Sequence, residues 1–361
     1  MNKPLVSVVM VVCNVDQFLA ESIESILHQT FTEFDFIIVD YGSTDSSKSV
    51  VQRYAKRDLR IRFHEIPHCG LGDARNVACS LARGRYVALM DADDVAVPER
   101  LQLEYEFMEG HPTVGLLGGA VQWINRAGQD IFVGLVPTDD QEIRLAMAVH
   151  NPFWQPTVLL RREALVRSGG YRDAFAPAED YDLWMRVSEH FDCANLGKVV
   201  LRYRMHPQQV SVRKKKQQVL GMLAAQRSAA IRRTGQTDPF DTIREITSDL
   251  LVEYGADQAA QEKALISEYR LWIRHMILAG EASAALDAAV EVLSNDLAQA
   301  EAWQIADLYL TVSSLRWKRG EVIESIRSAA HALRIRPKLL GRPLRPWLRK
   351  AGLTRVEPFQ P

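Results

Sequence analysis

The apolar positions of this chain change their rhythm twice. Val6–Val12 is a run dominated by β-branched residues, the pattern of a parallel strand buried on both faces. Phe18, Ile23, Ile26 and Leu27 then mark one face of a helix ending near Gln29-Thr30. Phe34–Val39 reads as a second strand, and Ser43 or Thr44 can cap a helix over about 46–57. A weaker strand over 60–66, a helix over 73–82 and a strand at Tyr86–Met90 continue the alternation. Strand–helix alternation predicts βαβ units and a parallel sheet.

From about residue 112 the rhythm becomes mixed. Strands are predicted at Val114–Ile124 and over 130–136 around the turn Asn125–Gly128, then over 156–160 and 196–204. Helices are predicted over 139–149 and 180–190, so residues 1–212 read as one α/β domain. Beyond Lys214-Lys-Lys216 strand signals stop, and 213–361 reads as an all-α region. Two Gly-Glu turns there, Gly280-Glu281 and Gly320-Glu321, each open a small-residue helix. The second half of a tetratricopeptide-type unit is similar, although the offset of 40 exceeds the roughly 34 of that repeat. A plain helical bundle is the alternative.

Composition narrows the classes. At 361 residues the chain is longer than the roughly 250–300 at which one core stops growing. A formal net charge of −1 lacks the strongly basic footprint of a nucleic-acid binder, so no nucleic-acid partner is expected. Cys13, Cys69, Cys79 and Cys193 show no metal-ligand spacing and read as reduced thiols of a cytoplasmic protein. The apolar start could be mistaken for a signal peptide, but a buried first strand suits it better. No apolar run approaches the roughly 20 residues that span a bilayer.

The densest chemistry is Asp91-Ala-Asp-Asp94, directly after the strand Tyr86–Met90. Carboxylates crowded at a buried strand end repel one another and need a cation or a hydrogen-bond network. Mg²⁺ and Mn²⁺ are held by one or two carboxylates with substrate phosphates, and open α/β sheets bind ligands beyond their strand ends. A metal–diphosphate site is the reading this favours; an acidic cap for a helix starting near Pro98, for which Asp94 alone would serve, competes with it.

Seven blocks in series carry a resemblance. Val6–Asn14, Ser22–Thr30, Ile37-Ile-Val-Asp-Tyr-Gly-Ser-Thr-Asp45, Gly70-Leu-Gly-Asp-Ala-Arg-Asn76, Asp91–Asp94, Glu179-Asp-Tyr-Asp-Leu-Trp-Met-Arg186 and Tyr203–Ser211 resemble the family 2 inverting glycosyltransferases in order and spacing. The resemblance implies a GT-A nucleotide-sugar-binding fold, with a mostly parallel mixed sheet and helices on both faces. It also implies a nucleotide-sugar donor, a divalent metal (Mn²⁺ or Mg²⁺) and inversion at the anomeric carbon. By the same resemblance Asp93 is the metal ligand and His206 approaches the metal or diphosphate. Asp91 reaches the donor ribose or the metal shell, and Val11, Asn14, Asp40, Tyr41 and Arg75 lie on the donor side. Asp180 matches the general base; Asp94, Gln155 and Glu179 are supporting or acceptor-side candidates. Asp182 and Arg186 read as structural, with Trp184 on the buried side. Local alternatives stand beside these: helix-start capping for Glu179 and Asp180, a surface ion pair for Arg75, a solvated histidine for His206. At Asp180 the helix N-terminus favours the anion, while burial acts the other way.

Three departures bear on substrate. Tyr41 replaces the second of two adjacent aspartates, which recognises the nucleobase; a phenol can stack on a base but does not accept its N–H as a carboxylate does. Val11 stands where proline or threonine is frequent, and Gln155 replaces a histidine near the acceptor. The expected activity is metal-dependent transfer of a hexosyl or N-acetylhexosaminyl group to a glycan or lipid-linked acceptor, in polysaccharide, lipopolysaccharide or other glycoconjugate synthesis. An inactive scaffold acting through the helical region is the alternative that Tyr41 favours. From Arg334 to the end, eight basic residues face one acid, Glu357, with Leu and Trp347 interleaved. That composition suits peripheral contact with an anionic membrane, the alternative being a basic helical cap that packs Trp347 onto the helical region; a protein partner through the helical region is the other partner expected.

Overall fold

The computed structural model describes residues 3–295 and 297–337, so the basic tail from residue 338 onward lies outside the described residues. The strands are β1 (Val6–Val12), β2 (Phe34–Asp40), β3 (Ile61–Glu65), β4 (Tyr86–Met90), β5 (Val95–Ala96), β6 (Val114–Ile124), β7 (Asp130–Gly134), β8 (Leu159–Arg161) and β9 (Asp192–Arg204). They form one sheet in the order β3-β2-β1-β4-β8-β6-β9-β5, with β7 paired to β6. The half made of β3, β2, β1 and β4 is parallel; β8 runs antiparallel to both β4 and β6, and β6 runs parallel to β9.

The sequence pattern explains this division. β1, β2 and β4 are apolar on both faces because helices cover both, and their residues are almost fully buried. Those helices are α1 (Asp16–Leu27), α2 (Ser47–Ala55) and α3 (Leu71–Ser80). Then follow α4 (Arg100–Gly110), α5 (Asp140–Met147), α6 (Arg162–Arg167) and α7 (Glu179–Ser188). The predicted strand over 156–160 begins later, at Leu159, because Gln155–Thr157 forms a 3₁₀ turn with Pro156 inside it. β5 and α6 carried too few residues to show a period.

The chain moves outward from β1 to β2 and β3, then returns to the other side of β1 with β4. A reversal of this kind opens a crevice at the carboxyl ends of the strands. Register sets Val12 beside Asp40 and Met10 beside Met90, so Asp40 and Asp91 emerge at one edge.

Two compact units are present. The first runs through Gln261 and takes in Leu278–Gly280. It therefore extends beyond the 1–212 read from the loss of strand signals, and includes α8 (Val210–Arg213), α9 (Lys215–Arg233) and α10 (Ser248–Glu253). The physical reason is a shared core: Ala224, Ala225, Phe240 and Leu251 join Phe175, Tyr181 and Trp184 in one buried cluster. Covered in this way, α7 is buried almost all round.

The second unit holds most of α11 (Gln258–Leu278), with α12 (Ala282–Leu293), α13 (Ala302–Lys318) and α14 (Val322–Ile335). Ser325 Oγ donates to Ser313 O at 2.8 Å between α14 and α13, and Tyr269 Oη donates to Glu291 at 2.8 Å. Gly280 and Gly320 both take left-handed φ, +85° and +80°, where each preceding helix stops.

Candidate active site

The acidic loop after β4 is built from buried polar contacts. Asp94 is fully buried and its Oδ1 accepts from Arg204 N at 2.7 Å, so it caps no helix; β5 separates it from α4. Its carbonyl accepts from Ser22 Oγ on α1 at 2.6 Å. The Arg204 side chain, fixed by Glu21 at 2.6 Å and lying over the Phe18 ring, donates Nε to Asp93 O at 2.8 Å. Asp94 Oδ2 is buried without a hydrogen-bond partner, and burial, followed by the charges of Asp93 and Asp91, pushes its pKa well above the ordinary carboxylate range.

With the backbone held, Asp93 and Asp91 diverge. Asp93 Oδ2 lies 2.9 Å from His206 Nε2, whose ring packs against Phe18 and whose Nδ1 meets Gln208 Oε1 at 3.2 Å. Asp91 instead faces Arg75, with Nη2 3.3 Å from Asp91 Oδ1. Burial raises the Asp91 pKa to about 6; the neighbouring Arg75 opposes this, while Asp93 and Glu179 add to it.

Arg75 also pairs with Glu179 through Nη1. Glu179 is 1% exposed, and its Oε2 has no hydrogen-bond partner. Thus one guanidinium joins the strand-end acid to the first residue of α7. Gly70 and Gly72, at the start of α3, let the turn at Asp173 approach closely: Gly72 N donates to Asp173 Oδ1 at 2.8 Å, and a Cβ at Gly72 would lie 2.9 Å from Asp173 Cα.

Asp180 follows Glu179 at the start of α7. Its Oδ1 accepts from Tyr181 N at 2.7 Å and its Oδ2 from Asn151 Nδ2 at 3.0 Å. Burial and the Glu179 charge push its pKa to about 7, against the opposing pull of Arg75 and the Tyr181 N–H. Burial, not the helix N-terminus, decides the direction here. A carboxylate poised near neutrality suits a general base.

On the other wing, Asp40 ends β2. Its Oδ1 accepts from Gly42 N at 3.0 Å and Ser43 N at 2.9 Å, while Oδ2 is buried without a hydrogen-bond partner. Tyr41 is half-buried with its ring stacked near His68; burial lifts its pKa to about 12, so it presents a neutral hydroxyl. Asn14 takes φ +54°, and its Oδ1 accepts from Thr44 N at 2.8 Å and Asp45 N at 3.2 Å. Its side chain therefore organises the loop after β2. Val11 is half-buried against the core. Gln155 faces inward, donating Nε2 to Tyr171 Oη at 3.0 Å.

The fold thus joins Asp91, Arg75 and Glu179 in one chain of contacts, with Asp180 next to Glu179 in sequence, and pairs Asp93 with His206. Asn151, Arg204 and Asp173 were not singled out from sequence. Arg204 lies within a block already noted; Asn151 and Asp173 act across distances that no local spacing reveals. Among the described residues no group of three or more His, Cys, Asp or Glu is disposed to hold a metal by itself, and no helix is long and apolar enough to cross a membrane.

A parallel β3-β2-β1-β4 half extended by a mixed half, with acids beyond β4, defines the GT-A type of glycosyltransferase. The family model described as glycosyl transferase family 2 matches residues 7–165, a span that includes Asp40, Arg75 and the Asp91–Asp94 loop. An uncharacterized glycosyltransferase of Methanocaldococcus jannaschii is 33% identical over 211 residues, 57% of this chain and 72% of that protein. The O-antigen biosynthesis glycosyltransferase WbnJ of Escherichia coli is 30% identical over 208 residues, 56% of this chain and 80% of that protein. In structure, the mannosyltransferase PcManGT from Pyrobaculum calidifontis, in complex with GDP-Man and Mn²⁺, aligns with TM-score 0.53 at 19% identity, covering 92% of this chain and 88% of that one. At that identity the likeness is one of fold. The chain belongs to glycosyl transferase family 2 and is a glycosyltransferase.

Proposed function

We propose that this enzyme inverts the anomeric centre as it moves a hexosyl or N-acetylhexosaminyl group from a nucleotide-diphosphate sugar to a hydroxyl of a glycan or lipid-linked acceptor. The observation that carries the reading is the Asp91–Arg75–Glu179 chain, which ties the acids beyond β4 to the helix start bearing Asp180. Asp180 takes the proton from the acceptor hydroxyl. The new O–C1 bond forms as the C1–O bond to the diphosphate breaks, and the leaving group departs with the electron pair.

A carboxylate oxygen and an imidazole nitrogen 2.9 Å apart, Asp93 Oδ2 and His206 Nε2, fit a Mn²⁺ or Mg²⁺ ion that takes few protein ligands and completes its shell with water and donor phosphates. Held by Asp93 and His206, such a cation would offset charge on the departing diphosphate. Asp40 Oδ2, buried without a hydrogen-bond partner, can accept a base N–H, and the neutral phenol of Tyr41 follows it in sequence. On the acceptor side, the half-buried Trp154 packs edge-on to Trp123 at 5.1 Å and beside Tyr203 at 5.4 Å, a wall suited to a sugar ring. Relatives that act in O-antigen biosynthesis support a cell-envelope polysaccharide as product, made in the cytoplasm or at its membrane face. The test is transfer from a panel of nucleotide sugars with and without chelator. Mn²⁺-dependent release of one nucleoside diphosphate with an inverted product supports the reading; full transfer in excess chelator overturns its metal half.

A further inference from the structure

Asn151 lies in the turn after α5 and was absent from the residues suggested by sequence. Its two amide atoms are not interchangeable. Oδ1 accepts from Phe153 N at 3.1 Å, which only the oxygen can do, so Nδ2 is turned to Asp180 Oδ2 at 3.0 Å. Phe153 is 3% exposed, with its ring 6.3 Å from that of the buried Trp184, so the turn is anchored in the core.

We propose that Asn151 is a positioning residue for the transfer step: it fixes the rotation of the Asp180 carboxylate and favours its ionised form. Each Asp180 oxygen then has one protein donor, Tyr181 N on Oδ1 and Asn151 Nδ2 on Oδ2, which leaves a lone pair on each for an incoming hydroxyl. The charged and titratable groups facing Asp180 are Glu179 on its own helix, Arg75 on α3, Asp91 beyond β4 and Tyr171 in the turn before α7. Glu179 and Asp91 resist ionisation of the base, and Arg75 is shared with both of them. An amide on the acceptor side favours the anion without adding a charge where the neutral hydroxyl must approach. This inference rests on the reading of Asp180 as the base.

The test is the pH profile of kcat at saturating donor and acceptor, for wild type, Asn151→Ala and Asn151→Asp. Wild type should lose activity as pH falls through about 7. In Asn151→Ala the acid limb should move up by about one pH unit, since one hydrogen bond to a charged acceptor has been removed. In Asn151→Asp, nearly isosteric, a second carboxylate should move it further and lower kcat at pH 7 by about tenfold or more, with recovery at alkaline pH. A role confined to loop packing would change KM or stability and leave the limb in place. An unmoved acid limb in a folded variant overturns the proposal, and Asn151→Asp decides it if the alanine variant does not fold. Asp180→Asn is the control: if it stays fully active the reading of the base fails, whereas an inactive Asp180→Asn with an unmoved Asn151→Ala limb rejects Asn151 alone.

Discussion

Arg75 Nη2 stands 3.3 Å from Asp91 Oδ1 while Nη1 of the same guanidinium pairs with Glu179, so a side chain on α3 couples the end of β4 to the start of α7. Glu179 is buried, with Arg75 on its Oε1 and no hydrogen-bond partner on Oε2. Breaking a buried pair by removing one partner leaves an uncompensated charge and costs about 3–5 kcal/mol. Arg75→Met should lower unfolding free energy by about that amount in urea titrations. The double variant Arg75→Met/Glu179→Gln should recover much of it. A single variant as stable as wild type would show that the pair carries little weight.

His206 and Asp93 should govern cation use together. His206→Ala should weaken Mn²⁺-dependent donor binding by about tenfold or more, measured by calorimetry, because a ligand or its close neighbour is lost. Asp93→Asn should abolish transfer with little change in circular dichroism. Donor binding of equal strength with and without Mn²⁺ in wild type would move the cation elsewhere.

The network around Asp238 should make stability depend on pH in a definite direction. Burial alone would raise the Asp238 pKa, but Ser228, Arg172 and Arg232 hold it at about 2. Arg172 Nη1 and Arg232 Nη1 lie 2.9 Å and 2.6 Å from its Oδ2. A depressed carboxyl pKa stabilises the fold above the unfolded value near 4, and that contribution disappears as pH falls toward 2. A shift of this size corresponds to about 2 kcal/mol. Asp238→Asn should therefore lose about 2 kcal/mol at pH 7 and show a shallower fall in stability between pH 4 and 2, followed by chemical denaturation.

The aromatic wall should act on the acceptor. Trp154→Ala is expected to raise acceptor KM several-fold, with donor binding unchanged, in initial-rate measurements. Unaltered acceptor KM would confine Trp154 to packing against Trp123 and Tyr203.

Much of this site is legible along the chain because its core is local: the run Tyr86–Met90 ends in Asp91 and Asp93, and any strand so buried delivers its acids to the sheet edge. Asp180 was legible as part of a block. Its proton affinity was not, since the helix start favours the anion and only the packed structure shows that burial outweighs it. Asn151 and Arg204 stayed hidden because their partners lie 29 and 111 positions away. The extent of the first unit was hidden for a related reason. Helices that cover α7 have ordinary helical periodicity, and nothing in that period tells which core they join.

In the proposed reaction Asp180 deprotonates the acceptor while the residues near β1, β2 and β4 bind the donor. The direct measurement is single-turnover transfer by Asp180→Asn, set beside its donor affinity. The transfer rate should fall by roughly 10²–10⁴ with the donor Kd unchanged. Transfer at the wild-type rate, or a collapse of donor affinity with bound donor still turned over normally, would contradict it.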